Sequence, residues 1–483
     1  MPKTNYENRQ NVLFITADDM NYDSPGCYGC QTSGITPSID DLAKRGMRFT
    51  NAHVTIAVCM PSRETLMTGR YPHNNGGEGF EPISVQVPTL QEELAAAGYL
   101  NGILGKTNHL APSEKFCWDY RVNFDQLGRG RDPDLYYRYT KEFIERSRQE
   151  GKPFFLMANS HDPHRPFAGS DQEKRKWGGD LPDFGRRIEP DEVTVPGFLP
   201  DIPEVRLEIA EYYTSVHRCD ETVGRIMAAL EESGLYEDTM VMFISDNGMA
   251  VPFAKTNCYL NSTKTPWIVS WPDRVKRGVV DDRHLISGVD YMPTILDALG
   301  LPLVNGMDGR SFLPLLYGRR QEGREYVFTQ FHETAANRRY PMRCVQSKDF
   351  GYIVNFWSDQ DTVFLNESQS GRTFSAMKSA SESDSGIRQR VRLFQYRVPE
   401  EFYNFDEDPN ALENLIGSSR CEREIADLKT ALGEWMYDTN DPAYDAFVNW
   451  GSKESLERFM DQQRRKSRIA RERKQRARES GRD

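Results

Sequence analysis

Two carboxylates side by side, Asp18-Asp19, close an apolar run near the start of the chain, Asn11–Ala17. Adjacent carboxylates repel one another, and a hard divalent cation shared between them is the usual relief. A helix N-cap beside a solvated acid would look the same. A similar group, Asp246-Asn247-Gly248, follows a second apolar run, Thr239–Ser245. Alone, it reads as an ordinary Asp-Asn-Gly turn. Taken together, Asp18, Asp19, Asp246 and Asn247 form an all-oxygen donor set, which suits Ca²⁺ or Mg²⁺ and disfavours zinc.

The segment Cys59-Met60-Pro61-Ser62-Arg63 runs on to Met67-Thr68-Gly69-Arg70. A cysteine at a helix start with Arg63 nearby is predicted to be an acidic, reactive thiol; a buried inert thiol is the alternative. Ser160-His161-Asp162-Pro163-His164-Arg165 follows the run PFFLMAN, so two imidazoles stand where a strand ends. They are candidates for moving protons, against the plainer reading of a loop turn. Lys106 and Lys255 say little by themselves, since a lone lysine at a strand end is ordinarily solvated. Cys27-x-x-Cys30 has no second pair at ligand spacing and reads as a loop feature. Gly76-Gly77-Glu78-Gly79 does not follow a strand with phosphate-loop spacing, so no nucleotide site is expected.

For these groups to act together, strands must bring them to one edge, and the carboxyl ends of an open α/β sheet are where such sites form. Short apolar runs alternate with helical patterns through the first 300 residues, which predicts an α/β domain. Strands are expected at Asn11–Ala17, Met47–His53, Leu100–Gly105, Pro153–Asn159, Thr239–Ser245 and Pro266–Trp271. Thr36-Pro37 opens a helix that Gly46 closes, Thr89-x-x-Glu92 is a capping box, and a long helix is expected from about Glu204 to Ser233. Asp290 is expected to cap another that ends at Gly300. From about Arg324 the texture changes to shorter strands, including Tyr326–Gln330, Tyr352–Asn355 and Thr362–Leu365, and to a Ser-rich stretch. This predicts a catalytic domain over 1–323, a smaller α+β subdomain over 324–450 and a basic tail over 451–483. The last twenty residues hold ten Lys/Arg against three Asp/Glu, a mixed pattern expected of a frayed, solvated helix.

With 483 residues, 38% hydrophobic and 28% charged, the chain has enough apolar material for a large core, which excludes a disordered chain or a disulfide-stapled mini-protein. A net charge of −11 argues against a nucleic-acid partner. No run of about 18 apolar residues exists, so no membrane partner is expected. Residues 1–10 carry no signal-like apolar stretch, and the eight cysteines are scattered, which predicts reduced thiols and a cytoplasmic location. The sequons at Asn261 and Asn366 then carry little meaning.

The string Cys59-x-Pro61-Ser62-Arg63 followed by Met67-Thr68-Gly69-Arg70 resembles the signature of type I sulfatases, in the alkaline phosphatase superfamily. Gly105-Lys106-Thr107-Asn108-His109 is similar to that family's Gly-Lys-x-His element, with one extra residue before His109. Tyr403-Asn404-Phe405-Asp406, Asp408-Pro409 and Glu413-Asn414-Leu415 resemble its C-terminal strand-turn, with the Glu-to-Asn spacing shortened. The resemblance runs from about Asn11 to about Asp438. It implies a large mixed, mostly parallel sheet sandwiched by helices, with a smaller C-terminal subdomain. It also implies that a separate formylglycine-installing enzyme oxidises Cys59 to formylglycine, whose hydrated aldehyde is the nucleophile. Asp18, Asp19, Asp246 and Asn247, with residue 59, would hold Ca²⁺ (Mg²⁺ being possible). By the same likeness Arg63 balances the charge of the nucleophile, Lys106 and Lys255 clamp sulfuryl oxygens, His109 accepts a proton, and His161 protonates the leaving group. His164 and Arg165 would face outward towards acidic groups on a sugar. The implied substrate is a sulfated saccharide. Ser160–Arg165, Lys255-Thr256-Asn257 and Pro341-Met342-Arg343 are most similar to the branch that removes the N-linked sulfate of glucosamine in heparin or heparan sulfate fragments. An O-sulfatase, a phosphonate or phosphodiester hydrolase on the same scaffold, and a silent glycan-binding protein that keeps Cys59 as a thiol are the alternatives.

Overall fold

The computed structural model describes residues 10–178 and 185–479. The signal-free reading of the first nine residues and the last four residues of the basic tail lie outside them. The main sheet has eight strands in the order β5-β4-β6-β1-β7-β8-β2-β9. Here β1 is Asn11–Asp18, β2 Met47–Phe49, β4 Leu100–Leu104, β5 Tyr120–Val122, β6 Phe154–Pro163, β7 Thr239–Ser245, β8 Trp267–Ser270 and β9 Val279–Asp281. Strands β5, β4, β6, β1 and β7 are mutually parallel, and β8 runs against its neighbours. This is the mixed, mostly parallel sheet the sequence predicts. Every residue of β1 and β7 is buried, as strands covered on both faces must be. Along β1, Leu13 and Ile15 enter one helical layer with Ile209 and Val216, while Val12 and Phe14 enter the opposite layer with Tyr291 and Ile295. Burial of each such side chain contributes about 1.5–3 kcal/mol.

A four-stranded antiparallel sheet follows: β11 Val327–Glu333, β12 Arg339–Gln346, β13 Phe350–Asn355 and β14 Glu400–Asn404. Its Val345, Val354 and Phe402 pack on Leu428, Leu432 and Trp435 of the helix Glu422–Asp438. The long helix spans Pro203–Glu232, and Thr89 and Glu92 form a reciprocal capping box. Several expectations need correction. Met47–His53 is not one strand: it breaks at Thr50-Asn51, and Ala52–His53 (β3) pairs instead with Ile286–Ser287 (β10). Thr362–Leu365 joins no ladder, because Phe364 is drawn into an aromatic cluster with Tyr340, Trp357 and Phe394. Asp290 lies in a short 3₁₀ turn before the helix Tyr291–Ala298 and makes no side-chain cap to it. The basic tail forms a helix, Lys453–Glu479, docked through Phe459, which is buried against Phe356, and through Ser467, while residues 471–476 are exposed as a solvated helix is.

The order β4-β6-β1-β7 places Lys106, His161, Asp18 and Asp246 at adjacent carboxyl ends. The turn after β7 keeps its path only with glycine at 248, since a Cβ there would sit 1.9 Å from the carbonyl oxygen of Asn261 and force the backbone to shift. Gly248→Ala is therefore expected to destabilise the fold by about 1–3 kcal/mol, as overpacking against fixed atoms does, and to lower its melting temperature in thermal unfolding. An unchanged melting temperature would show that this turn yields freely.

Candidate active site

Cys59 opens the helix Cys59–Thr68 and lies on the floor of a cavity of about 460 Å³ at the carboxyl edge of the sheet. Its Sγ is 3.3 Å from Asp18 Oδ1 and 3.7 Å from Asp19 Oδ1. One oxygen of each of Asp18, Asp19 and Asp246 and the Cys59 sulfur all lie within 4.8 Å of one another. Three buried cations face the three carboxylates. Lys106 ion-pairs with Asp18, Lys255 Nζ is 2.8 Å from Asp19 Oδ1, and Arg63 Nη2 is 2.7 Å from Asp246 Oδ2. Arg63 is further held by Thr16 at 2.7 Å and by Asn159. Asp19, Lys106 and Thr256 all adopt left-handed backbone, with φ of 70°, 52° and 68°. Such conformations in non-glycine residues cluster where a site constrains the chain.

Burial dominates the electrostatics. It pushes Asp19 up to about 6 and Asp246 up to about 7, despite Lys255 beside one and Arg63 beside the other. For Asp18 the same burial is outweighed by Lys106, His164, Arg63 and Lys255, which hold it well below the usual carboxylate range. The expectation of an acidic thiol at Cys59 is overturned. Burial and then Asp18 push it well above its ordinary value, with only Lys255 opposing among the leading influences, and Arg63 is committed to Asp246. As a plain cysteine, residue 59 is a poor nucleophile. The donor set fits a hard divalent cation. Asn247 Oδ1 is buried without a hydrogen-bond partner while its Nδ2 donates to Asp19 Oδ1 at 2.7 Å, so an amide oxygen stands free beside the carboxylates.

The three imidazoles differ in what their nitrogens do. His161 Nε2 accepts the backbone N–H of Lys106 at 3.2 Å, and its ring packs against Phe124 and closely over Gly130. It braces the Lys106 loop, and that nitrogen is occupied where a proton donor was expected. His164 Nδ1 donates to the carbonyl of Arg165 at 2.6 Å, leaving Nε2 free, 3.8 Å from Asp19 Oδ2. His109 lines the cavity, and its Nδ1 has no partner. Arg165 does not reach outward: Glu208 at 2.6 Å and the carbonyl of Ala250 at 3.1 Å tie it into the wall.

Sequence reasoning missed several lining groups. Glu367, one residue before the Ser-rich stretch, is 2.6 Å from Lys255 Nζ, a contact no local pattern announces. Asn159 was legible in principle, as a polar residue ending an otherwise apolar run. Phe80, Phe124 and Trp177 with Lys176 form the outer walls.

A family model described as Sulfatase matches residues 10–301. The chain belongs to the sulfatase family. Members of the family use formylglycine and a divalent metal. A second model, N-sulphoglucosamine sulphohydrolase, C-terminal, matches residues 251–373. The chain is 31% identical to human N-sulphoglucosamine sulphohydrolase over 90% of its own length and 91% of the relative's. It is 25% identical to an ulvan-active sulfatase of Formosa agariphila, over 90% and 76%. Among solved structures, a protein in complex with its substrate D-glucosamine-2-N,6-O-disulfate superposes with a TM-score of 0.66 at 18% identity, over 90% of this chain and 98% of that one. A phosphonate monoester hydrolase of Agrobacterium radiobacter superposes with a TM-score of 0.65 at 19% identity, over 89% and 96%. At these identities the two structures establish the shared fold.

The cation site predicts a thermal signature. Saturating Ca²⁺ at about 100 times its Kd stabilises a folded protein by about 2.7 kcal/mol. Chelator-treated protein is expected to gain melting temperature on adding Ca²⁺, and Asp246→Asn is expected to lose most of that gain. Equal gains in both proteins would place the ion elsewhere.

Proposed function

We propose that the enzyme removes the N-linked sulfate of glucosamine in heparin or heparan sulfate fragments, with formylglycine at position 59 and a bound Ca²⁺. The observation that carries the sulfatase chemistry is the position of residue 59, on the cavity floor and within 4.8 Å of three carboxylates. The likeness to human N-sulphoglucosamine sulphohydrolase across nine-tenths of both chains supports the choice of N-sulfate. The match to that protein's C-terminal model supports it as well.

In this reading Asp18, Asp19, Asp246 and Asn247 hold the cation. A cation bound there would supply the positive charge that eases ionisation of an oxygen on residue 59 and offsets charge on a sulfuryl oxygen. Arg63, fixed by Asn159 and Asp246, adds a permanent charge beneath the nucleophile. Lys106 and Lys255 stand at the cavity wall, where the remaining sulfuryl oxygens gather negative charge. Two imidazoles keep an open nitrogen. His164 is assigned protonation of the departing amine after Nε2 has taken up a proton from solvent, a form that burial and then Lys255 favour only at acid pH by holding the imidazole down at about 4, and His109 is assigned removal of a proton from residue 59. His161 is a positioning residue acting through the Lys106 backbone. The aromatic walls, Phe80, Phe124 and Trp177, give a sugar ring apolar surface beside the cation Lys176.

Released sulfate from N-sulfated glucosamine, O-sulfated sugars and a phosphonate ester, measured side by side with formylglycine-containing protein, tests this. N-sulfated glucosamine is expected to be the best substrate. His164→Ala is expected to lower kcat on it by about 10²–10⁴, the usual worth of a general acid, and to spare an aryl sulfate whose phenolate leaves unaided. Sulfate release from O-sulfated sugars alone would overturn the assignment.

A further inference from the structure

A second cavity, of about 590 Å³, lies beside the catalytic one, and Phe80 lines both. The turn between β11 and β12 separates them: Thr334 and Ala335 face the catalytic cavity, whereas Glu333, Asn337 and Arg339 face the second. The outer wall is the basic helix Lys453–Glu479, through Lys466, Ile469, Ala470, Arg473 and Lys474. This helix is fastened to the turn by Ser467 on the carbonyl of Asn337 at 2.5 Å and by Lys474 on the carbonyl of Ala335 at 3.1 Å.

We propose that this second cavity extends the catalytic cleft and holds the non-reacting sugars of a sulfated saccharide chain, and that the C-terminal helix makes the enzyme favour oligosaccharides over single sugars. The inference rests on the substrate class proposed above. Charge supports it. The carboxylates facing the cavity are Glu78, Glu81 and Glu333, and the cations are Arg339, Lys466, Arg473 and Lys474. Glu78 is matched by both Arg339 and Lys466, at 2.8 Å for the latter, and Glu333 takes a hydrogen bond from Asn337 at 2.9 Å. Arg473 is exposed and makes no ion pair among the described residues. Its charge is unnecessary for packing the helix, which Phe459 and Ser467 already anchor. Lys466 to Lys474 span about 12 Å of helix at 1.5 Å per residue, more than one sugar ring covers. Phe80 and Ile469, both partly exposed, supply apolar surface between the charges.

The test uses the full chain, matured to formylglycine, with an N-sulfated monosaccharide and an N-sulfated heparin-derived tetrasaccharide. Wild type is expected to show the higher kcat/KM on the tetrasaccharide, and more salt dependence there. Reversing the unpaired charge, Arg473→Glu, is expected to lower the tetrasaccharide kcat/KM by about tenfold, as lost charge complementarity does, and leave the monosaccharide within about twofold. Sulfate release without length preference, or equal losses on both substrates, would overturn the inference and leave the proposed activity standing. Release from neither substrate would overturn the activity instead. The cleft is then judged by titrating the tetrasaccharide into the Cys59→Ala chain with and without Arg473→Glu, where unchanged affinity refutes it and about tenfold weakening supports it.

Discussion

Three carboxylates buried together at the end of a sheet must be balanced, and the catalytic end of this molecule is organised around that requirement. Asp18 is matched by Lys106, Asp19 by Lys255 and Asp246 by Arg63. Each pair joins segments far apart in sequence: the end of β1 to the loop after β4, the same end to the loop after β7, and the β7 loop to the helix that begins at Cys59. Buried pairs of this kind roughly break even when complete, but removing one partner costs about 3–5 kcal/mol because a charge is stranded. The network therefore contributes little net stability while fixing geometry strictly. It also sets the chemistry of residue 59, whose thiol is suppressed by the same burial and carboxylates that suit the site to a cation.

A second ring of charge holds the histidine segment. Asp162 is gripped by Arg218 at 2.6 Å and Arg131 at 3.2 Å, and Arg131 also donates to the carbonyl of His164 at 2.8 Å. Glu208 joins Arg165 to the backbone N–H groups of Arg372 and Thr373, each at 2.8 Å, so the long helix, the histidine loop and the Ser-rich stretch are tied together. This explains why Glu367, a few residues earlier, can be delivered to Lys255.

The central strands were legible because β1 and β7 are continuous apolar runs ending in acids, a pattern set by burial on both faces. The donor set was legible for the same reason: each carboxylate ends its strand or immediately follows it. The roles of His161 and His164 were not, because they depend on which ring nitrogen meets a backbone group, a matter of tertiary geometry. Arg165 looked free in sequence, since Glu208 lies 43 residues away. Thr362–Leu365 looked like a strand because its apolar residues serve an aromatic cluster instead of a ladder. The docking of the basic helix was hidden by its composition; Phe459 is one apolar anchor among many charges.

The proposed chemistry depends on residue 59. The most direct measurement is the mass of the peptide containing it, taken from protein made in its native host. Conversion of cysteine to formylglycine removes about 18 Da by covalent chemistry alone. The account predicts that loss in the active protein. An unmodified thiol in protein that still releases sulfate would contradict it, because the nucleophile would then not be the formylglycine hydrate.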